Sequence, residues 1–196
     1  MKDFIRSEII EWAQSTLSSP HPQFNGLPPC PYAANAFARD TVEIKMGFGW
    51  GYSNILRTSK KFPKDKSLVI HVELSPQMSA MEMHEDLDRL NSEKKFAKRN
   101  LWFIGFHPDD PEPEFVDDDV TGSPLVDEPY ALIFIQRLTE LDDASKQLEQ
   151  KKYYIRANHE EIEHLLKRRQ AREEYDNGNG TQESDQERWK QEESQR

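Results

Sequence analysis

Leu68-Val69-Ile70-His71-Val72 and Leu101-Trp102-Phe103-Ile104-Gly105-Phe106 decide the fold class. Both runs are short, β-branched or aromatic, and bounded by polar turns, which is the composition of interior strands. Between them, Ser79 to Asn91 places Met83, Leu87 and Leu90 on one side of a helix. Upstream, Val42, Ile44 and Met46 alternate with Thr41, Glu43 and Lys45, the period of a half-buried strand. Downstream, Tyr130 to Ile135 has strand character and precedes Leu138-Thr139-Glu140-Leu141. Near the N-terminus Phe4, Ile5, Ile9, Ile10, Ala13 and Leu17, with Trp12 widening the stripe, predict an amphipathic helix over about 3–18. Helices and strands interleave, so the expected fold is a single α+β domain, a small mixed sheet of about four strands packed with helices.

From Ala144 the character changes. Leu148, Tyr153, Tyr154, Ile162, Leu165 and Leu166 predict a C-terminal helix docking back onto the domain. Beyond Tyr175, Asp176-Asn177-Gly178-Asn179-Gly180 is expected to break any helix, and Trp189 is the only large apolar side chain after it. That is too little to offset ordering entropy of roughly 1 to 2 kcal/mol per backbone residue. The expected organisation is a compact domain over 1–175 and a disordered acidic tail over 176–196.

Composition excludes several function classes. The single cysteine rules out an intramolecular disulfide, and no apolar run approaches ~18 residues. No signal peptide is recognised either, so a reducing, cytoplasmic location without membrane contact is expected. Lys and Arg number 26 against 36 Asp and Glu, and the net charge of −10 disfavours nucleic acid.

The one cysteine lies in Leu27-Pro28-Pro29-Cys30-Pro31-Tyr32-Ala33-Ala34. Proline is favoured at the first helical position, so Pro31 is expected at N1 with Cys30 as the cap before it. A thiol facing the positive end of a helix dipole can titrate well below the free value of about 8.5. The competing reading is a buried cysteine that packs as a small hydrophobe.

His107 and Asp109 fall in Phe106-His107-Pro108-Asp109-Asp110, where an apolar strand ends. Ligand sites gather at carboxyl ends of strands, and imidazole titrates near neutrality. His107 is therefore the expected acid/base partner of Cys30, with Asp109 or Asp110 orienting its ring. The alternative is a histidine capping a turn before proline. The acidic stretches 109–114 and 117–119 offer carboxylates to a cation but lack EF-hand spacing, and a solvated loop is expected. Gly47-Phe48-Gly49-Trp50-Gly51 lacks the Lys-Ser/Thr sequel of a phosphate loop and is read as a hairpin or lid. His159 and His164 are five apart and there is one cysteine, so a structural zinc site is not expected; no cofactor is expected. Lys167, Arg168, Arg169 and Arg172 read as a solvated helix face.

Taken in order, Cys30-Pro31-Tyr32-Ala33, Phe106-His107-Pro108-Asp109, Asp118-Asp119-Val120-Thr121 and Pro129-Tyr130 leading to Arg137 resemble a bacterial family, the domain of unknown function fourteen-fifteen. The likeness covers about residues 5–150. This chain has Tyr32 where that family has Phe, Glu128 where it has Ser, and Phe134 where it has His. The resemblance implies a site containing Cys30, His107 and Arg137, with Tyr32 and Tyr130 as ligand-binding residues, and supplies no reaction.

Two functions follow as expectations. One is a small-molecule enzyme using Cys30 as nucleophile or redox thiol, His107 as acid/base and Arg137 as anchor for an anionic small molecule, because a guanidinium binds carboxylate or phosphate bidentately. The other is a non-catalytic binding or assembly protein in which Cys30 is structural. The sequence leaves the oligomeric state open.

Overall fold

Alternating and continuous apolar runs meet in one sheet. The computed structural model describes residues 1–47, 52–74, 79–110 and 130–193, with side chains to residue 178 apart from Tyr52. Strands β1 (Val42–Gly47), β2 (Leu68–Glu73), β3 (Leu101–Phe106) and β4 (Ala131–Arg137) form a mixed sheet in the order β1-β2-β4-β3. β1 runs parallel to β2, and β4 is antiparallel to both β2 and β3. The carboxyl ends of β1, β2 and β3 therefore share one rim.

Helices cover both faces, which explains why β2 and β4 show no alternation of burial. On one face Leu68, Ile70, Leu132 and Phe134 pack against Ile9 and Trp12 of α1 (Lys2–Trp12) and Ala33 of α2 (Pro31–Ala38). A π-helical turn, Ala13–Leu17, extends α1. On the other face Val69, Ile133 and Ile135 meet Ile55 of α3 (Tyr52–Lys60), Leu87 of α4 (Ala80–Ser92) and Phe96 of α5 (Lys94–Ala97). A third cluster, including Tyr32, Trp102, Leu141 and Ala171, seats α6 (Leu138–Gln150) and α7 (His159–Glu193) beside β3. The result is the single α+β domain that the interleaved pattern implies. No helix among the described residues is long and apolar enough to cross a membrane.

Local chemistry sets the element ends. Ser79 and Glu82 form a capping box on α4, the Glu82 N–H donating to Ser79 Oγ at 3.3 Å and the Ser79 N–H to Glu82 Oε2 at 2.9 Å. α6 follows β4 with no intervening loop. Its first turn is held by Asn100, whose Oδ1 accepts from the Thr139 N–H at 2.8 Å while Nδ2 donates to Thr139 Oγ1 at 2.9 Å.

Three differences from the sequence reading have physical reasons. α3 lacks an apolar stripe because it buries Ile55 beside the hydroxyl residues Thr58 and Ser59. The C-terminal helical region is two helices, separated where Lys152 takes a left-handed φ of 59° and Tyr153–Arg156 tightens to a 3-10 turn. α7 also runs through 176–180 without the expected break. Asp176 is bonded there, accepting from Arg172 Nε at 3.0 and 2.9 Å, and glycine in a helix costs about 1 kcal/mol without removing a hydrogen bond as proline does. The readings placed on Phe48–Gly51, on the acidic stretch from Pro111, and on Asp118–Thr121 and Glu128-Pro129 lie outside the described residues.

β2 carries His71 and Glu73 into the interior, 4% and 0% exposed. Burial first, then the charges of Arg57 and Lys45, push the His71 imidazole down to about 4. The groups facing it are Lys45 from β1, Arg57 from α3 and Glu73 on its own strand, whose Oε2 is 3.4 Å from Nε2. A folded-state value below the unfolded value of about 6.5 means that protonation favours the unfolded chain. The stabilisation is complete above about pH 6.5 and is lost as pH falls toward 4, about 3 kcal/mol over the interval. His71→Gln is expected to flatten that part of the acid limb relative to wild type, read from urea midpoints across the pH range. An unchanged slope contradicts the assignment.

Candidate functional site

Prolines and a strand-like bridge fix the approach to Cys30. His21 N–H donates to the Leu27 carbonyl at 3.0 Å, and Cys30 N–H to the Leu17 carbonyl at 3.1 Å. Cys30 is the N-cap of α2, with φ −131° and Pro31 at N1, and its carbonyl accepts from Ala34 N–H at 3.0 Å. The helix entry is therefore where the proline pattern puts it. The thiol nevertheless does not behave as the dipole alone would dictate. Burial pushes Cys30 up, over the opposing pull of the Ala33 N–H, the Arg168 charge and the Tyr32 N–H.

Cys30 lies on the wall of a cavity of about 380 Å³. Phe24, Phe106, Leu141, Leu148 and Tyr153 give it an apolar lining. Tyr153 stacks on Phe24 with ring centroids 4.9 Å apart and donates its hydroxyl to the Pro29 carbonyl. Burial pushes that phenol far up, so it is a neutral donor. This volume and lining are those of small-molecule pockets, which join an apolar wall to a few polar groups.

Besides Gln23 and Ser145, the polar groups come from α7. Glu161, His164 and Arg168, at i, i+3 and i+7, share one helix face and line the cavity. Glu161 is engaged in a capping pair: its Oε2 accepts from Asn158 N–H at 2.8 Å, and its own N–H donates to Asn158 Oδ1 at 2.9 Å. His164 stands 3.8 Å from Glu160 and 3.9 Å from Asp88. Arg168 differs from both, because its Nε and Nη2 are buried and have no hydrogen-bond partner. A buried donor without an acceptor costs about 1 to 3 kcal/mol, more when charged, and a guanidinium cannot escape the cost by losing its proton.

The remaining sequence candidates are distributed elsewhere. On β3, Ile104 and Phe106 line the cavity, whereas Gly105 faces Leu87, Met83 and His84 of α4. His107 follows the strand and is not among the residues lining the Cys30 cavity. Its backbone N–H donates to Asp110 Oδ2 at 2.7 Å, and Asp110 Oδ1 lies 2.7 Å from His84 Nε2. That hydrogen bond holds the His84 imidazole above its ordinary range. His107 Nδ1 accepts from the Asp109 N–H at 3.1 Å, while the Asp109 carboxylate is 3.7 Å away and 83% exposed. Asp110 thus grips the backbone of His107 and not its ring, and the motif closes a turn against α4.

Arg137 donates Nη2 to the Pro63 carbonyl at 2.8 Å and Nε to the Lys66 carbonyl at 3.3 Å, and lies over the Phe62 ring at 4.4 Å. Its fork clasps the loop before β2. Tyr32 does line the cavity, but its hydroxyl donates to the Ser67 carbonyl at 2.8 Å. Tyr130 donates to Glu8 Oε2 at 2.6 Å, tying β4 to α1. Of the expected set, Cys30 and Tyr32 line the cavity, His107 and Asp109 are not among its lining residues, and Arg137 and Tyr130 are held in structural bonds.

Sequence reading missed Arg168 by treating Lys167, Arg168 and Arg169 as a solvated run. A usable signal exists: Leu165, Arg168, Ala171, Arg172 and Tyr175 recur at helical spacing, and Leu165 and Ala171 are buried. An arginine on the apolar face of a docking helix is aimed inward. No family model, no curated protein and no solved structure matches this chain. The site is therefore argued from its own residues.

Burial makes a specific forecast for Cys30. Labelling by iodoacetamide is expected to be slow in the native protein up to about pH 9, past the free-thiol value of about 8.5, and fast in denaturant. Rapid native labelling near neutrality contradicts it.

Proposed function

We propose that the protein is a binding protein for a small apolar molecule bearing a carboxylate, held in the Cys30 cavity with its acid group on Arg168. One observation carries this reading: Arg168, whose Nε and Nη2 are buried and unpaired, is among the residues lining a largely apolar cavity. Those two donors form the fork that a carboxylate bridges with two parallel hydrogen bonds. The apolar wall takes the hydrocarbon part, whose burial contributes about 0.8 kcal/mol per methylene. Cys30 is then a wall group whose half-buried thiol packs against the ligand. The enzymatic alternative needs His107 at the sulfur, and His107 is not among the residues lining the Cys30 cavity.

Octanoate and octan-1-ol share a chain and differ in the head group, so calorimetric titration of the two isolates the arginine contact. Octanoate is expected to bind at least about tenfold tighter, since a hydrogen bond to a charged group contributes about 1.5 to 3 kcal/mol. Equal affinities, or no saturable binding of either, would remove the carboxylate reading.

A further inference from the structure

The opposite face of the sheet holds a second recess, about 570 Å³, between edge strand β1 and helix α3. Its charge is unusual for this chain. The protein carries a net −10, yet Arg57 to Lys66 contains five cations, Arg57, Lys60, Lys61, Lys64 and Lys66, against the single acid Asp65. Two of them line the recess, Arg57 on α3 and Lys61 just past its C-terminal end, one turn apart, and Lys45 joins them from β1. Arg57 is oriented by a 2.7 Å bond from its Nη2 to Asn54 Oδ1. Lys45 has one acidic neighbour, Glu43, at 3.3 Å. Arg57 and Lys61 thus converge on a space that no carboxylate among its lining residues neutralises.

The wall behind these cations is built. His71 lines the recess from β2 while buried, and its Nδ1 has no hydrogen-bond partner. Gly47 sits against the same ring: a Cβ there would stand 2.8 Å from His71 Nε2, so any side chain at 47 would press on the histidine. Among the described residues no further strand pairs with the outer edge of β1.

We infer that this recess binds the phosphate group of a small organic phosphate, with Arg57 and Lys61 as its charged contacts and Lys45 as the third. An arginine fork and two mobile ammonium groups suit a tetrahedral dianion or an oligophosphate. The recess is larger than one phosphate ion, which leaves room for the rest of the molecule. Its location on the other sheet face makes it independent of the carboxylate cavity.

Tripolyphosphate is the probe, added to the full chain at about 0.15 M salt, where screening limits nonspecific attraction to about 8 Å. Amide NMR shifts are expected to saturate in the millimolar range or below and to cluster at Lys45, Gly47, Arg57 and Thr58. The Arg57→Ala/Lys61→Ala double variant is expected to weaken binding about tenfold or more, while Arg6→Ala, on the other sheet face, leaves it unchanged. Both substituted side chains are exposed, so the fold is retained, and Lys45→Gln supplies a second, milder variant with a smaller loss. Shifts spread over all basic surfaces, an equal loss in Arg6→Ala, or no saturation would overturn the assignment. Octanoate binding in the double variant stays at its wild-type value, which separates failure here from failure of the carboxylate site.

Discussion

Replacing Arg168 by leucine is expected to bring octanoate affinity down to that of octan-1-ol, a loss of about tenfold or more, while thermal stability holds or rises. The two readouts move in opposite directions for one reason. In the free protein the guanidinium presents buried N–H groups that nothing accepts, so an apolar replacement of similar size relieves a cost. In the complex the same groups are the ligand's only fork of charged donors. An arginine retained for structure makes the reverse forecast: Arg168→Leu lowers the melting temperature and leaves the preference for acid over alcohol untouched. The Cys30 thiol gives a third readout. Arg168 is one of the influences pulling it down, so the leucine variant should label still more slowly than wild type.

Phe134→Ala is expected to remove about 3 to 5 kcal/mol, most of the stability of a domain that has about 5 to 15. Phe134 is fully buried at the centre of β4. Its ring contacts Phe106 at 4.8 Å and meets Trp12 edge-on at 6.4 Å, so its loss opens a void between the sheet and α1. Because Phe106 is also a cavity wall, octanoate binding should weaken in the fraction that stays folded. Phe4→Ala, at a side chain 64% exposed on α1, is the comparison and should shift the urea midpoint by the equivalent of about 0.5 kcal/mol or less. Similar midpoints for the two variants would contradict the placement of the core.

The sheet was legible because its strands announce themselves chemically. Leu68 to Val72 and Leu101 to Phe106 are too apolar for a surface and too short for a helix, and both are strands; β2 is an inner, fully buried one, whereas β3 lies at the edge of the described sheet with Ile104 to Phe106 half-buried because no further described strand covers it. Cys30 at a helix entry was equally legible, since Pro31 can begin a helix and does so. What the sequence hid is direction. Arg137 and Arg168 carry the same fork, and nothing local says which one faces a carbonyl-rich loop and which an apolar cavity. Arg137 spends its donors on Pro63 and Lys66 because β4 delivers it to the loop before β2. His107 follows the end of β3 as expected, yet it is not among the residues lining the Cys30 cavity, and which face a strand's residues take cannot be assigned until the strand has its neighbours. The cations between Arg57 and Lys66 went unread in the sequence, because Arg57 and Lys61 meet Lys45 only once β1 and α3 lie side by side.

The crystal structure of the octanoate complex tests the carboxylate site most directly. The carboxylate should lie about 2.7 to 2.9 Å from Arg168 Nε and Nη2, with the chain running against Phe106, Leu141 and Tyr153 and its flank on Cys30. Octanoate bound elsewhere, or bound in the cavity with its acid group turned away from Arg168, would contradict it.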